Sequence, residues 1–205
     1  RGLSRVPAVS PRDSPGPPPR CHVVPITLSG MGMLAGCRAG RSGANAWPEW
    51  DKPLVVISSN RSRDYYSVEV MQEMMMELGR VTREAILDSG KKVVVLASNS
   101  LSHRHFTTES KIPEDMSKEH ITSHAMHLWD MRMIDYMKSG QCQRLIDEMP
   151  EFTEQAIAET DGGAFTWLLS TLEVPDYPAI LHGYGTIIGT GNAIVEWPVY
   201  QHKGE

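Results

Sequence analysis

Hydrophobic patterning along this chain becomes dense only after residue 46. Pro53-Leu54-Val55-Val56-Ile57-Ser58 is a short β-branched run of the kind buried on both faces of a sheet, and it predicts a strand. The period then changes. Met71, Met74, Met75, Leu78, Val81, Ala85 and Ile86 recur at helical spacing, which predicts an amphipathic helix from Ser67 to Asp88. Ser67 suits its N-cap and Gly90 a left-handed stop. A methionine cluster of this sort could pass for a cofactor or partner groove, but stripes at this spacing mostly fill core. Lys92-Val93-Val94-Val95-Leu96-Ala97-Ser98 predicts a second buried strand, so residues 53–98 read as a βαβ unit with a right-handed crossover. Ser117 suits the cap of a long helix running through Met137 and ended by Gly140, and shorter helices follow over 141–149, 151–160 and 163–173. Pro175 and Pro178 interrupt the pattern before a glycine-rich turn and strand over 183–199. The class is α/β: a mixed or parallel central sheet flanked by helices.

Composition divides the chain into two parts. Residues 1–45 hold six arginines against Asp13 alone, so this arm carries +5 while the whole chain carries −5. A basic arm can signal nucleic-acid binding. This one has no lysine and no aromatic residue, and six of its first twenty residues are proline, which resists packing into helix or sheet. Residues 1–46 are therefore expected to be a disordered or unrelated leader, with no nucleic-acid partner. No apolar run approaches the roughly 20 residues of a membrane span. Cys21, Cys37 and Cys142 are too far apart for a CxxC pair or a disulfide framework, and the first residues given show no secretory pattern. A reducing cytoplasm is the expected setting, without membrane association.

Candidate chemistry gathers at two places. In open α/β sheets ligands bind beyond the carboxyl ends of strands. Ser98-Asn99-Ser100-Leu101-Ser102-His103-Arg104-His105 stands there after the second predicted strand, and Asn60 marks the equivalent point after the first. His103 and His105 are candidates for acid/base or ligand roles, since imidazole titrates near neutrality; a loop imidazole bonded to local backbone is the plain alternative. Glu196 lies between Val195 and Trp197 in a strand-like run. A carboxylate buried there needs a metal, an arginine or another partner. Two other patterns carry less. His120, His124 and His127 fall at i, i+4 and i+7, but no glutamate follows the first histidine as in a zinc-protease helix, and Lys118-Glu119 mark a solvated face. Gly183, Gly185, Gly189 and Gly191 precede no helix, so they do not form a dinucleotide loop.

Five separated segments carry a resemblance: Val94 to His103, Ile112-Pro113-Glu114-Asp115-Met116-Ser117-Lys118-Glu119, Trp129-Asp130-Met131-Arg132-Met133-Ile134, Gly163-Ala164-Phe165-Thr166-Trp167, and Gly183-Tyr184-Gly185-Thr186 through Trp197. From about Trp47 to Trp197 the chain resembles the class III extradiol ring-cleavage dioxygenases. The resemblance implies cleavage of a catechol or 2-aminophenol type ring with O2 at a non-haem Fe(II) held by two histidines and a carboxylate. It implies Glu196 as that carboxylate, His103 as the acid/base, His105 and Tyr184 as pocket residues, and a homo- or hetero-oligomer.

In that family both iron-binding histidines lie before the matched region. Here that stretch offers only His22, in a context that matches neither. Residues 47–205 are therefore expected to be the C-terminal part of such a domain, incomplete at the N-terminus and holding half of a metal site. Two readings follow: a dioxygenase subunit completed from elsewhere, or a non-catalytic scaffold or partner subunit of such a complex.

Overall fold

The computed structural model describes residues 22–23, 55–57, 65–105 and 120–199. Its elements are β1 (His22–Val23), α1 (Val68–Ser89), β2 (Val94–Val95), α2 (His124–Lys138), α3 (Cys142–Asp147), α4 (Met149–Ala156), a 3₁₀ turn (Glu159–Gly162), α5 (Gly163–Thr171), β3 (Ile180–Ile187) and β4 (Thr190–Glu196). Helix and sheet are mixed, as the α/β class requires. Among the described residues the strands form two separate pairs rather than one central sheet: β1 with β2 in parallel, β3 with β4 antiparallel.

Among the described residues the first strand of the expected βαβ unit is not seen. Val55, Val56 and Ile57 pair with no described residue and are 83%, 66% and 39% exposed; residues 53, 54 and 58, like Asn60, lie outside the described residues. The parallel partner of Val94–Val95 is instead His22–Val23. The second strand also differs from a fully buried one. Val95 and Ala97 point into the core while Val94 and Leu96 face out, the period-2 alternation of a strand covered on one side.

Helix α1 matches its predicted bounds. Ser67 accepts the Val70 N–H, and Gly90 ends the helix at φ 61°. Its inward face is rotated from the hydropathy stripe. Met71, Gln72, Met75 and Gly79 are buried, whereas Met74, Val81 and Ala85 are exposed. Polar anchoring to α5 and α3 sets that rotation: Ser170 Oγ donates to Met76 O at 2.6 Å, Trp167 Nε1 to Thr82 Oγ1 at 3.1 Å, and Gln72 Nε2 to Ile146 O at 2.9 Å. Helix α2 begins at His124, with Ser123 Oγ capping Met126 N at 3.2 Å. His120 to Ser123 are not helical, and Ser117 lies outside the described residues. The expected i, i+4, i+7 histidine stripe therefore does not exist as one helical face.

The last expected strand is a hairpin. Ile188 (φ 52°) and Gly189 (φ 85°) form a two-residue loop, both at positive φ as in a type I′ turn. The register runs from Ile187 opposite Thr190 to Ile180 opposite Glu196, with an irregularity between Leu181 and Gly183. One face of β4 joins a core of α2, α3, α4 and α5 residues in which Met137, Met149, Phe152, Leu168, Leu169 and Trp197 are wholly buried. Cys142 is part of this core, and burial pushes its thiol up to about 11, so it packs as a small hydrophobe rather than a nucleophile.

Two expected outcomes follow from this packing. A Cβ on Gly79 would stand 2.5 Å from Ser170 Cβ and 2.6 Å from Trp167 O. Gly79→Ala is therefore expected to lose about 1–3 kcal/mol to overpacking, more than the roughly 1 kcal/mol that alanine gains in a helix. A lower urea midpoint is the check, and an unchanged one would mean that α1 and α5 do not meet there. Ile188 is a β-branched residue in the left-handed region, where its Cβ is strained. Ile188→Asn is expected to raise the unfolding free energy by about 0.5–1 kcal/mol, read by the same titration.

Candidate active site

The segment after β2 runs between α2, β4 and the turn before α5, and backbone bonds fix it on both sides. Leu101 N donates to Gly191 O at 2.8 Å and Gly191 N to Ser102 O at 3.0 Å; on the other side His103 N donates to Ile157 O at 3.0 Å and Glu159 N to Leu101 O at 3.3 Å. Ser102 also bridges antiparallel to Ala158. Leu101 to His103 thus act as an unlabelled middle strand between the hairpin and residues 157–159.

Side chains tighten the arrangement. Asp130, on the buried stripe of α2 between Met126 and Ile134, is fully buried. Its Oδ1 accepts the Ser102 N–H at 2.8 Å, and its Oδ2 accepts Ser102 Oγ–H at 2.9 Å and Tyr184 O–H at 2.8 Å. Burial pushes the Asp130 carboxyl above its ordinary range, and these donors pull it back in part. The Tyr184 phenol is pushed up by burial and by the adjacent Asp130 charge. Gly191 makes room for the carboxylate: a Cβ there would lie 1.8 Å from Asp130 Oδ2.

A second carboxylate meets His103 directly. Glu159 Oε2 stands 3.7 Å from His103 Nδ1, with the side chains 17% and 23% exposed, and the same oxygen accepts the Ser100 N–H. The turn that presents Glu159 is strained. Ile157, Thr160 and Asp161 all have φ of 54°, each costing about 1–3 kcal/mol for a non-glycine residue. His105 stacks edge-on against His103, with ring centroids 4.8 Å apart.

The expected site residues separate into two groups. His103 and His105 are together, and Tyr184 reaches their segment through Asp130. Glu196 is elsewhere: β4 starts beside Ser102 at Gly191, and five residues at about 3.3 Å each carry Glu196 some 16 Å along the strand. Its Oε2 accepts from His182 Nε2 at 2.9 Å, so the partner that its position demanded is an imidazole. Sequence reasoning missed Asp130 and Glu159. The signal for Asp130 was a carboxylate placed at core spacing in α2; Glu159 gave no signal beyond two acidic residues in a Gly-Gly turn.

Tyr184 also lines a cavity of ≈ 330 Å³ with His120, Ile121, His124 and His127. His127 Nδ1 is 3.4 Å from Tyr184 Oη. Among the described residues no three His, Cys, Asp or Glu side chains are gathered closely enough to hold a metal ion, and no helix is long and apolar enough to cross a membrane.

The seating of Asp130 is testable at Gly191. Gly191→Ala is expected to expel the Asp130 carboxylate and cost about 2–4 kcal/mol, since it unpairs buried polar groups as well as overpacking. Thermal unfolding with the Ser102 amide shift reads both effects, and an unmoved amide would sink the assignment.

Comparison with known proteins agrees on one lineage. Over 150 residues, 73% of this chain, it is 53% identical to the 2-aminophenol 1,6-dioxygenase beta subunit of a Pseudomonas species, covering 49% of that protein. Over 168 residues, 82% of the chain, it is 27% identical to the alpha subunit of 2-aminophenol 1,6-dioxygenase from a Pseudomonas species, covering 56% of it. The chain thus spans about half the length of the curated relatives it matches. No protein-family model matches it.

Proposed function

We propose that this chain, which is related to the class III extradiol ring-cleavage dioxygenases, works in the Fe(II)-dependent opening of a catechol or 2-aminophenol type ring by O2. The observation that carries this reading is the His103–Glu159 pair, 3.7 Å apart, on the segment that leaves β2. A ring hydroxyl must lose a proton on activation and the ring-opened product must regain one. His103 is suited to hold that proton in between, and the Glu159 charge stabilises the imidazolium while it does so. His105, edge-on to His103, lines the ring's approach. In this reading the metal-directed carboxylate is Glu159 rather than Glu196, because of these two it is Glu159 that stands beside the acid/base.

The described residues do not complete a site for Fe(II). They bring a carboxylate to the imidazole of His103, with His105 edge-on to that ring, but no group of three with ligand geometry, so no step is routed through the metal. The central parallel or mixed sheet of the resemblance belongs to the same reading, supported by the parallel pairing of β1 and β2. Likeness to both an alpha and a beta subunit supports assembly with a related chain.

Anaerobic loading with Fe(II), followed by O2 uptake with 2-aminophenol or protocatechuate, tests the function. The 205-residue chain alone is expected to hold less than one iron and to consume no O2. Co-expressed with a related chain that supplies two iron-binding histidines, it is expected to turn over, and His103→Gln to slow turnover by about 10²–10⁴-fold. Turnover that His103→Gln leaves untouched, or a complex that binds iron through the other chain alone, would overturn the proposal and leave a scaffold role.

A further inference from the structure

Asp130 is buried, accepts three hydrogen bonds and donates none that the geometry requires, and two of its donors lead to different histidines. Through Ser102 N–H and Oγ–H it holds the residue next to His103. Through Tyr184 it reaches His127, whose ring lines the ≈ 330 Å³ cavity. Tyr184 has a single hydroxyl proton. An ionised carboxylate can only accept, so at 2.8 Å that proton points to Asp130. The phenol oxygen must then act as acceptor toward His127, and the contact at 3.4 Å requires the imidazole proton on Nδ1. Neutral His127 is left with Nε2 as its acceptor, on a ring that faces the cavity beside His124.

We infer that Asp130 is a positioning residue for two histidines at once: it seats His103 against Glu159 by clamping Ser102, and through Tyr184 it fixes His127, whose ring lines the cavity, in the Nδ1–H tautomer. The loop carrying the cavity floor is tied to the same segment, because Thr122 Oγ1 donates to the Arg104 carbonyl. The His103 half of this inference rests on the proposed function; the His127 half does not.

Asp130→Asn separates positioning from plain stability. The amide oxygen can still accept Ser102 N–H, but the amide nitrogen now donates to Ser102 Oγ and to the Tyr184 oxygen. The Tyr184 proton then turns toward His127 Nδ1, and the imidazole proton moves to Nε2. Nitrogen-15 imidazole spectra at about pH 9, where histidine is neutral, are expected to show mainly the Nδ1–H form of His127 in the wild-type chain and mainly the Nε2–H form in Asp130→Asn. Tyr184→Phe, which deletes one hydroxyl and keeps the clamp on Ser102, is expected to remove the Nδ1–H preference; it serves if Asp130→Asn does not fold. Identical His127 tautomers in wild-type and Tyr184→Phe would overturn the tautomer assignment.

The His103 half is read from the backbone and the ring contact. In Asp130→Asn the Ser102 and His103 amide shifts are expected to move and the proximity of the His103 ring to the Glu159 side chain to weaken, both read by NMR, whereas Tyr184→Phe, which keeps the clamp on Ser102, is expected to leave them in place. Unmoved Ser102 and His103 amides in Asp130→Asn would remove Asp130 from the positioning role at His103, leaving the His127 result standing.

Discussion

The structure around the site depends on one buried charge. Among the described residues no lysine or arginine pairs with Asp130; its ionised form is supported by Ser102 N–H, Ser102 Oγ–H and Tyr184 O–H and, to a lesser degree, by the nearby His127 ring. Hydrogen bonds to a charged group are worth about 1.5–3 kcal/mol each, and desolvating a lone carboxylate costs several. The two are of similar size, so the carboxylate depends chiefly on its donors staying in place, with a smaller favourable contribution from the nearby His127. That requirement ties α2, the segment after β2 and the β3–β4 hairpin into one unit. It also explains Gly191: the residue facing the carboxylate can have no side chain. In a molecule whose described strands form two separate pairs, this contact does the joining that a continuous sheet would otherwise do.

The strained turn at residues 157–161 belongs to the same unit. Three non-glycine residues at φ 54° would relax if the turn were free. It is held at its start, where Ile157 O accepts from His103 N, and at its middle, where Glu159 N donates to Leu101 O. The middle segment 101–103 is in turn held by Asp130. Strain at the turn is thus opposed by the buried carboxylate through two intervening backbone bonds, and its product is the placement of Glu159 next to His103.

How much of this was legible in the sequence differs by element. Helix α1 was readable to its caps, because Ser67 and Gly90 act locally. Its inward face was not, because the α5 anchors Ser170 and Trp167 lie some 90 residues on. The run at 53–58 looked like a buried strand on β-branched content alone, and nothing in its own residues could reveal that Val94–Val95 pairs with 22–23 instead. At the site, His103 was visible from its place after a strand. Glu196 drew attention for being a carboxylate between apolar neighbours, yet strand alternation turns it to the opposite side from Val195 and Trp197, toward His182. Glu159 was invisible for the converse reason: its role comes from a tertiary contact with a histidine 56 residues earlier.

The two carboxylates near His103 differ in a way that assigns them different work. Asp130 is wholly buried, and its two oxygens take three donors from fixed backbone or hydroxyl groups. Glu159 accepts from Ser100 N–H, faces an imidazole and keeps 17% of its side chain exposed, so it has room to respond when that imidazole gains a proton. A carboxylate tied by three donors in the core holds geometry, whereas a partly exposed one beside a titrating group can stabilise the charge that forms. The division uses both: Asp130 adds side-chain bonds at Ser102 to the backbone bonds that hold the loop, and Glu159 supplies a negative charge beside the His103 ring.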